Sequence, residues 1–402
     1  MFFMHNVFPP VLDRVVAEAL TVLVAGQTTS ERPNRAIVDW IAGDVADRAD
    51  AIHIVSTGRS GQSGVWMRFG PRRPGGVLLS GHLDVVPADP SDWSVDPWAV
   101  TWRNGRLHGR GTCDMKGFVA CVLAASRHWV ADRLYRPIHV VLSADEEIGS
   151  PSLPALIEDV KGEGVRPDAV IVGEPTGMDI VVAHKATFGA RTTLRGRAAH
   201  SADPGRGLDA NHAAARLVLF LARLQADLAA AEPRCPGFEP PHATLNPGIV
   251  RGGVARNVVS SEAVVEWDCR PMPDDDPDAV LRAVERFCSQ ELDPDRSASY
   301  ACATERLTFM PGLRPDGEGN ALALARLACP DARTAMVSYA TEAGFFQREG
   351  WSTVVLGPGS IDQAHRPDEY IESAQLQACL SMLIALPQTM ARALAERAET
   401  TS

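Results

Sequence analysis

The chain has 402 residues, of which 45% are hydrophobic and 22% charged, a balance typical of a globular protein with an apolar core. A formal net charge of −11 argues against a nucleic-acid partner, because binding to phosphates needs clustered Lys and Arg. No apolar run approaches the length of a membrane helix and the N-terminus lacks a secretion signal, so we expect no membrane partner and a cytoplasmic location.

The length and the cysteines narrow the architecture further. At 402 residues, two domains, or one domain with a large insertion, are expected. The eight cysteines are scattered without a C-x-x-C pair, which argues against a disulfide framework and against a cysteine-type zinc site. We expect most of them to be small buried apolar residues.

Apolar periodicity predicts alternating helices and strands through the first part of the chain. Ser30 or Asn34 is a candidate cap of the second helix, and a glycine-rich turn joins the first two strands as a hairpin. Residues 87–106 are predicted to form an irregular loop with a short hairpin. The predicted elements are helices at 11–24, 32–48 and 117–129, and strands at 51–56, 65–69, 76–80, 138–143 and 168–172.

A different pattern occupies the middle of the chain. Its order is βαββαβ, the ferredoxin-like arrangement, and we expect an inserted second domain. The predicted elements are strands at 186–195, 243–250, 263–269 and 299–309, and helices at 209–231 and 277–292. The resulting domains are 1–185 and 310–402, together forming the sheet domain, and 186–309, the insertion. After the insertion we expect helices near 319–328, 342–349 and 371–397 and a fourth apolar strand of the first domain at 352–356.

Polar residues follow the apolar strands of the first domain. The pattern predicts an α/β fold with a largely parallel sheet, and such sheets bind ligands at the carboxyl ends of their strands. Two imidazoles and four carboxylates would meet there and repel strongly without a cation. A nitrogen and oxygen set suits Zn²⁺, with Co²⁺ or Mn²⁺ as replacements, and one carboxylate can bridge two ions. These residues are His82, Asp114, Glu146, Glu147, Glu174 and His365.

Each of these residues has an ordinary structural interpretation when it is taken alone. His82 or His365 by itself is more often a structural histidine, and Asp114 by itself is an unremarkable residue before a helix. Glu146 and Glu147 alone would be a solvated helix start. Only as a set do they indicate a metal site.

Several segments of the chain resemble the zinc-dependent acetylornithine deacetylases. That group belongs to a wider family with succinyl-diaminopimelate desuccinylases, aminoacylases and exopeptidases, and the resemblance extends from about residue 27 to 372. It implies a sheet-based zinc-hydrolase catalytic domain with an inserted lid and dimerisation domain. The segments are SGHLDVVP, WSVDPW, GRLHGRGTCDMKGF, SADEEIGS, GEPTG, RGRAAHSADP, SYATEAGFFQ and GPGSIDQAHRPDEYI.

The resemblance assigns two Zn²⁺ ions per chain to the set. His82 and Glu174 would hold one ion, Glu147 and His365 the other, and Asp114 would bridge them. The Asp114–Met115 peptide resembles an unusual cis bond of the family, which needs tertiary support.

The resemblance also implies catalytic and substrate-binding residues outside the ligand set. Asp84 would orient His82, and Glu146 would be the general base that passes a proton to the leaving amine. His200 would reach across a homodimer to stabilise the developing oxyanion. Asn257 and Arg270 would bind the substrate carboxylate.

The reaction implied is removal of the acetyl group from N²-acetyl-L-ornithine, giving ornithine and acetate in arginine biosynthesis. Glu342 is a candidate for recognising a cationic group of this substrate; its alternative interpretation is a first-turn helix residue favoured by the dipole. Ala340 and Phe345 depart mildly from the deacetylase motif. Other N-acyl amino acids, such as acetylcitrulline or succinyl-diaminopimelate, dipeptide or carboxypeptidase substrates, and a non-catalytic scaffold are the alternatives left open.

Overall fold

A computed structural model of the protein describes residues 13–58, 61–129, 134–231, 235–292 and 300–400. The helices in this part of the chain are α1 Arg14–Ala25, α2 Arg35–Val45, α3 Gly117–Ala125, α4 Leu153–Gly162, α5 Ala210–Ala230, α6 Asp278–Arg286, α7 Asn320–Ala328, α8 Ala343–Arg348 and α9 Ser373–Thr400. The strands are β1 Ala51–Ser56, β2 Ser63–Phe69, β3 Val77–His82, β4 Thr101–Arg103, β5 Arg106–His108, β6 Ile138–Ser143, β7 Ala169–Val172, β8 Ile180–His184, β9 Phe188–Arg195, β10 Thr244–Gly252, β11 Glu262–Arg270, β12 Ala301–Arg306, β13 Thr334–Val337, β14 Thr353–Val355 and β15 Tyr370–Glu372.

The chain folds into two compact units, and each contains both helices and a β-sheet, which confirms the predicted α/β class. The second unit lies between parts of the first along the sequence. The first unit consists of Met1–Val182, Pro315–Ala335 and Thr341–Ser402, and the second of Ala183–Arg314 and Met336–Ala340.

An eight-stranded sheet runs in the order β1-β2-β6-β3-β7-β14-β8-β13. The central strands β6, β3, β7 and β14 are parallel to one another. Strands β1 and β2 are antiparallel, as are β2 and β6, so the sheet is more mixed than the predicted largely parallel one. The physical reason is the short connection between β1 and β2, since only an antiparallel pair can be joined by a hairpin turn.

Continuous apolar runs place the central strands inside the first unit. Every residue of β3, β6 and β7 is buried, as expected for parallel strands covered on both faces. All nine residues of α3 are buried as well, and this helix packs with α1 and α9 in the same core. The central strands are therefore packed on both faces up to the residues at which they end.

The start of the second helix differs from the predicted pattern. Asn34 occupies the position before α2, but its side chain does not cap the helix. Instead it exchanges two hydrogen bonds with Ser63 of β2, at 2.9 and 2.8 Å. The predicted helix at 11–24 begins at Arg14 and is capped by the carboxylate of Asp13, and residues 11–12 lie outside the described part of the chain.

The second unit has the predicted βαββαβ order. Its antiparallel four-stranded sheet runs β10-β11-β9-β12, the ferredoxin-like order, and α5 and α6 supply the rest of its apolar core. Strands β9 and β11 alternate between buried and half-buried residues, which is the pattern of a sheet covered on one face.

Helix α9 differs from the expectation of no membrane-length apolar run. Among the described residues, Ser373–Glu396 is long and apolar enough to cross a membrane, with a mean hydropathy of 1.3. Its fully buried residues Leu376, Cys379, Leu383 and Leu386 belong to the core of the first unit. A core helix of a globular domain passes the same test of length and composition.

The cysteines conform in part to the sequence prediction. Residues 113, 121, 269 and 379 are free and buried. The sequence predicts no disulfide framework, yet the structure pairs Cys288 with Cys302 within the second unit. This pairing was not foreseeable from spacing, because the two residues come from the end of the α6 region and from β12.

Candidate active site

Polar residues follow the carboxyl ends of the central parallel strands in the first unit. His82 is the last residue of β3, and Glu146 and Glu147 lie in a 3₁₀ turn after β6. Glu174 follows β7 by two residues, and His365 lies in the loop after β14. Because these strands are parallel, their carboxyl ends share one edge of the sheet and bring the five residues together.

The His82 imidazole is completely buried and contacts groups on both sides. Its Nδ1 lies 3.0 Å from the backbone oxygen of Asp84. Its Nε2 lies 3.0 Å from Oδ1 of Asp114 and 3.7 Å from Oε1 of Glu174. A ring whose Nδ1 donates to a carbonyl presents the lone pair of Nε2 to the carboxylates, which is the tautomer that a metal ligand needs.

Asp114 lies between the two imidazoles. Its other oxygen, Oδ2, is 3.4 Å from Nε2 of His365, and that nitrogen is 2.9 Å from Oε2 of Glu147. The Asp114–Met115 bond is cis, which confirms the expectation from the resemblance. Asp114 thus contacts His82 with one oxygen and His365 with the other.

Among the described residues there are two groups of three ligand atoms, and the atoms of each group lie within 4.8 Å of one another. One group is His82, Asp114 and Glu147, and the other is His82, Glu146 and Glu174. Two ligands of one tetrahedral zinc ion are roughly 3.3 Å apart, given bonds of about 2.0 Å. The nitrogen–oxygen distances in this structure, 2.9 to 3.7 Å, bracket this separation.

The charges at this edge affect the titration of every member. Burial raises the pKa of the Glu146 carboxyl well above its usual range, and Glu174 and Glu147 raise it further against the effect of His82. Burial lowers the pKa of His82, but Glu174 and Asp114 raise it more, so it ends well above the usual value. Hydrogen bonds to Asp114 and Glu147 raise the pKa of His365 to about 10.

These pKa shifts share one physical cause: several carboxylates lie close together with little positive charge among them. A divalent cation between the carboxylates would relieve their repulsion and allow the imidazoles to be neutral. Nitrogen and oxygen donors without a thiolate suit Zn²⁺, Co²⁺ or Mn²⁺. The neighbouring Cys113 is not placed as a donor, since burial raises the pKa of its thiol and its Sγ donates to the backbone oxygen of Ser360 at 3.3 Å. The residues present therefore fit a divalent metal centre.

The Asp84 carboxylate contacts more than the His82 ring. Oδ1 accepts a hydrogen bond from the backbone N–H of Glu146 at 3.0 Å, and Oδ2 accepts one from that of Glu147 at 3.1 Å. Ser30 donates its hydroxyl to Oδ2 at 2.6 Å, whereas Nδ1 of His82 is 3.4 Å from Oδ1. The carboxylate therefore holds the turn that carries both glutamates, in addition to lying beside the imidazole.

We expect Asp84→Asn to lower kcat by about 10- to 100-fold with the fold retained. In asparagine, an NH₂ group replaces one of the two accepting oxygens, so one of the two backbone N–H groups faces another donor and loses its hydrogen bond. The turn at Glu146 and Glu147 must then shift. Steady-state kinetics and circular dichroism measure the effect, and Asp89→Asn, at a solvated surface turn, is the control. A kcat equal to that of the control would contradict this role of Asp84.

The structure argues against the predicted role of Glu342. This residue is 1% exposed, and its carboxyl accepts hydrogen bonds from Ser80 at 3.2 Å and Ser150 at 3.3 Å. Burial raises its pKa to about 7. A carboxyl enclosed beneath the strand ends is not accessible to the ammonium group of a substrate, so Glu342 is a buried partner of these serines instead.

The remaining predicted residues belong to the second unit. His200 is exposed, and the backbone N–H of Ser201 donates to the oxygen of Asn257 at 3.1 Å, so these two segments are neighbours. Arg270 is the last residue of β11, and its Nε donates to Asp268 at 3.3 Å. His200 and Asn257 are thus brought together, while Arg270 is placed elsewhere in the unit.

Sequence reasoning missed a buried ion pair next to Asp114. Arg110 and Glu369 are 2.8 Å apart, and both side chains are less than 5% exposed. Both residues fall inside motif segments quoted above, GRLHGRGTCDMKGF and GPGSIDQAHRPDEYI. A charged motif residue without an assigned role was the available signal.

Comparison with known proteins places this geometry in context. The family model described as "Peptidase family M20/M25/M40" matches residues 78–389 of this chain. A curated acetylornithine deacetylase of Pectobacterium carotovorum subsp. carotovorum (strain PC1) is 31% identical over 373 residues, covering 91% of this chain and 94% of that protein.

Solved structures share the fold at lower sequence identity. A tripeptidase from Staphylococcus aureus superposes with a TM-score of 0.74 at 17% identity, covering 95% of this chain and 100% of that one. A dinuclear metal-binding peptidase of the M20 family from Bacillus subtilis superposes with a TM-score of 0.60 at 14% identity, covering 94% and 100%. At these identities the likeness concerns the fold alone.

Proposed function

The chain belongs to peptidase family M20/M25/M40, and from this premise we propose that it removes the acetyl group from N²-acetyl-L-ornithine, giving ornithine and acetate. The observation that carries the proposal is the 31% identity to an acetylornithine deacetylase over 91% of the chain. The cluster at the strand ends supports the reaction class, because it gathers metal-binding donors and a carboxylate suited to proton transfer at one edge. A cytoplasmic location stays a prediction from the sequence.

We infer that the cluster holds two divalent metal ions. His82 and Glu174 would bind one ion, Glu147 and His365 the other, and Asp114 would bridge them. The distances of Asp114 to the two imidazoles, 3.0 and 3.4 Å, support the bridging role. The likeness to a dinuclear metal-binding peptidase agrees with two ions, and the donor set favours Zn²⁺, with Co²⁺ or Mn²⁺ as replacements.

Bound divalent ions would supply Lewis acidity toward the amide carbonyl and would make water acidic near neutral pH. The protein's own contribution is proton transfer and positioning. The Glu146 carboxylate accepts a proton from the attacking water and returns it to the nitrogen of the leaving amine. A pKa raised by burial suits a group that must both accept and donate this proton. Asp84 keeps the Glu146 backbone in place through its hydrogen bond to the N–H.

The positions of the residues in the second unit support a homodimer. His200 and Asn257 lie beyond the start of β11, whereas Arg270 is at its end. Strand β11 has nine residues, and at about 3.3 Å per residue its length is roughly 26 Å. This exceeds the length of an N-acyl amino acid and supports a site to which two protomers contribute these residues. We therefore propose that His200 and Asn257 act on a substrate held in the partner, where Arg270 binds the carboxylate.

An edge of the second unit is suited to the partner. Strand β10 is at the edge of the four-stranded sheet, and most of its residues are exposed. Val250 is 53% exposed and the adjoining Val254 is 91% exposed. An exposed edge strand has unpaired backbone groups that can pair with another chain, and the molar mass in solution tests whether a dimer forms.

The identity of the acyl amino acid is tested by a substrate panel. Because Glu342 is buried, no residue is assigned to bind the ornithine ammonium group. The panel therefore includes N²-acetylcitrulline, N-succinyl-diaminopimelate and a dipeptide beside N²-acetylornithine. We expect kcat/KM to be highest for N²-acetylornithine on the metal-loaded protein. A higher kcat/KM for another member would replace the proposed substrate while leaving the reaction class in place.

A further inference from the structure

Glu369 is a buried carboxylate outside the predicted ligand set. It lies four residues after His365 and directly before β15, and its side chain is 1% exposed. A carboxylate in such a place is stable only if hydrogen bonds and opposite charge replace the water it has lost. The groups around it therefore indicate what it does.

Four donors converge on the two oxygens of Glu369. Oε2 accepts from the backbone N–H of Gly111 at 2.9 Å and from Nη1 of Arg110 at 2.8 Å. Oε1 accepts from the backbone N–H of Cys113 at 2.9 Å and of Asp114 at 3.1 Å. One side chain thus accepts three backbone N–H groups within the segment that ends at Asp114.

Three backbone donors of that segment are satisfied by Glu369 and not by the segment itself. Gly111 has a φ of 81°, and Asp114 has φ and ψ of −117° and 96°, both outside the helical region. The backbone between them does not form the regular hydrogen bonds of a helix, and buried N–H groups without an acceptor are costly. The carboxylate of Glu369 supplies the acceptors that a helix would otherwise have provided.

The same contacts join two parts of the proposed metal site. The segment at Asp114 carries the carboxylate that lies 3.0 Å from His82 and 3.4 Å from His365. The segment at Glu369 carries His365, and Arg110 also donates to the backbone oxygen of Arg366 at 3.3 Å. The distance from Asp114 to His365 therefore depends on how Glu369 holds these two segments.

We propose that Glu369 is a positioning residue that sets the placement of Asp114 relative to His365, and through them the geometry at which the metal ions bind. The inference rests on the proposed metal centre and extends it to a residue that contacts neither substrate nor metal. Arg110 is the charge partner of Glu369. Because both carboxylate oxygens of Glu369 accept backbone N–H groups, the loss of either oxygen would disturb the segment that carries Asp114.

The test compares Glu369→Gln with Glu372→Gln in the full-length protein. Glutamine has nearly the same shape but presents an N–H group where an acceptor is needed, so one pair of donors loses its partner. Glu372 is the matched control, since it lies three residues further along the chain, at the end of β15, with a side chain that is 50% exposed. The metal-free proteins are titrated with Co²⁺ alone, and affinity, the visible absorption spectrum and thermal unfolding are recorded, followed by kcat and KM.

For Glu369→Gln we expect a 10- to 100-fold loss of Co²⁺ affinity, an altered Co²⁺ spectrum and a kcat that falls more than KM changes. The control should behave as the unmodified protein. A Co²⁺ affinity and spectrum equal to those of the control, with only a lower unfolding temperature, would overturn the inference and leave a purely structural role.

A second variant covers the case in which Glu369→Gln does not fold. Glu369→Asp keeps the charge beside Arg110 but withdraws both oxygens, so we expect a folded protein with weaker Co²⁺ binding. Unmodified Co²⁺ affinity and spectrum in this variant would overturn the inference. If the unmodified protein itself takes up no Co²⁺, the proposed metal centre fails and this inference fails with it.

Discussion

Replacing Glu146 by glutamine is expected to lower kcat by about 10²- to 10⁴-fold while the protein keeps its metal ions. Glutamine cannot accept the proton that the proposed mechanism assigns to Glu146, yet it preserves the shape of the side chain. The hydrogen bond from the backbone N–H of residue 146 to Asp84 is unaffected, so the turn stays in place. Steady-state kinetics and metal analysis of the same samples measure the two effects separately.

The control for Glu146→Gln is a Glu→Gln substitution at Glu158, on the surface of the first unit. Glu158 has a side chain that is 67% exposed and pairs with Lys161. Glu158→Gln should leave kcat within a factor of two of the unmodified protein, since exposed ion pairs contribute little. Near-normal turnover in metal-loaded Glu146→Gln would contradict the assignment of the general base.

Replacing Asp114 by alanine is expected to abolish metal binding at stoichiometric concentrations and to reduce turnover to background. This carboxylate is the residue proposed to bridge both ions, and its loss removes one ligand from each. It also removes one carboxylate partner from each of the imidazoles of His82 and His365. Metal content after dialysis and the hydrolysis rate measure the result.

A pH titration supplies a second readout of Asp114→Ala in the metal-free protein. Asp114 contributes, with Glu147, to the pKa of about 10 for His365. Its removal should shift the titration of that ring downward, toward the usual value near 6.5. Asp39→Ala, on the exposed face of α2, is the control and should change neither metal content nor the titration. Tight binding of two ions by Asp114→Ala would contradict the bridging role.

The sequence was sufficient to predict which residues meet at the sheet edge. The apolar runs at 76–80, 138–143 and 168–172 mark strands buried on both faces, and the structure has β6 at the predicted bounds. Because parallel strands end on one edge, residues far apart in sequence, such as His82 and Glu174, are brought within 3.7 Å of each other. This step needs periodicity and strand direction only.

The partners of the buried carboxylates could not be predicted in the same way. The contact of Asp84 with the turn after β6 depends on the register of β3 against β6, in which His82 pairs with Ser143. Glu342 was interpreted as a substrate contact because it lies in the motif segment SYATEAGFFQ, whereas its neighbours in space are serines from distant segments. Periodicity predicts which face of an element is buried, but it does not identify the group that lies opposite a given side chain.

The most direct test of a two-metal hydrolase is a metal titration of the unmodified protein. Metal is removed with a chelator, Zn²⁺ is added back in steps, and hydrolysis of N²-acetylornithine is followed at each step. We expect no turnover without metal and a rate that rises to a plateau at about two equivalents per chain. Full turnover by the metal-free protein, or a protein that takes up no Zn²⁺, would contradict the account.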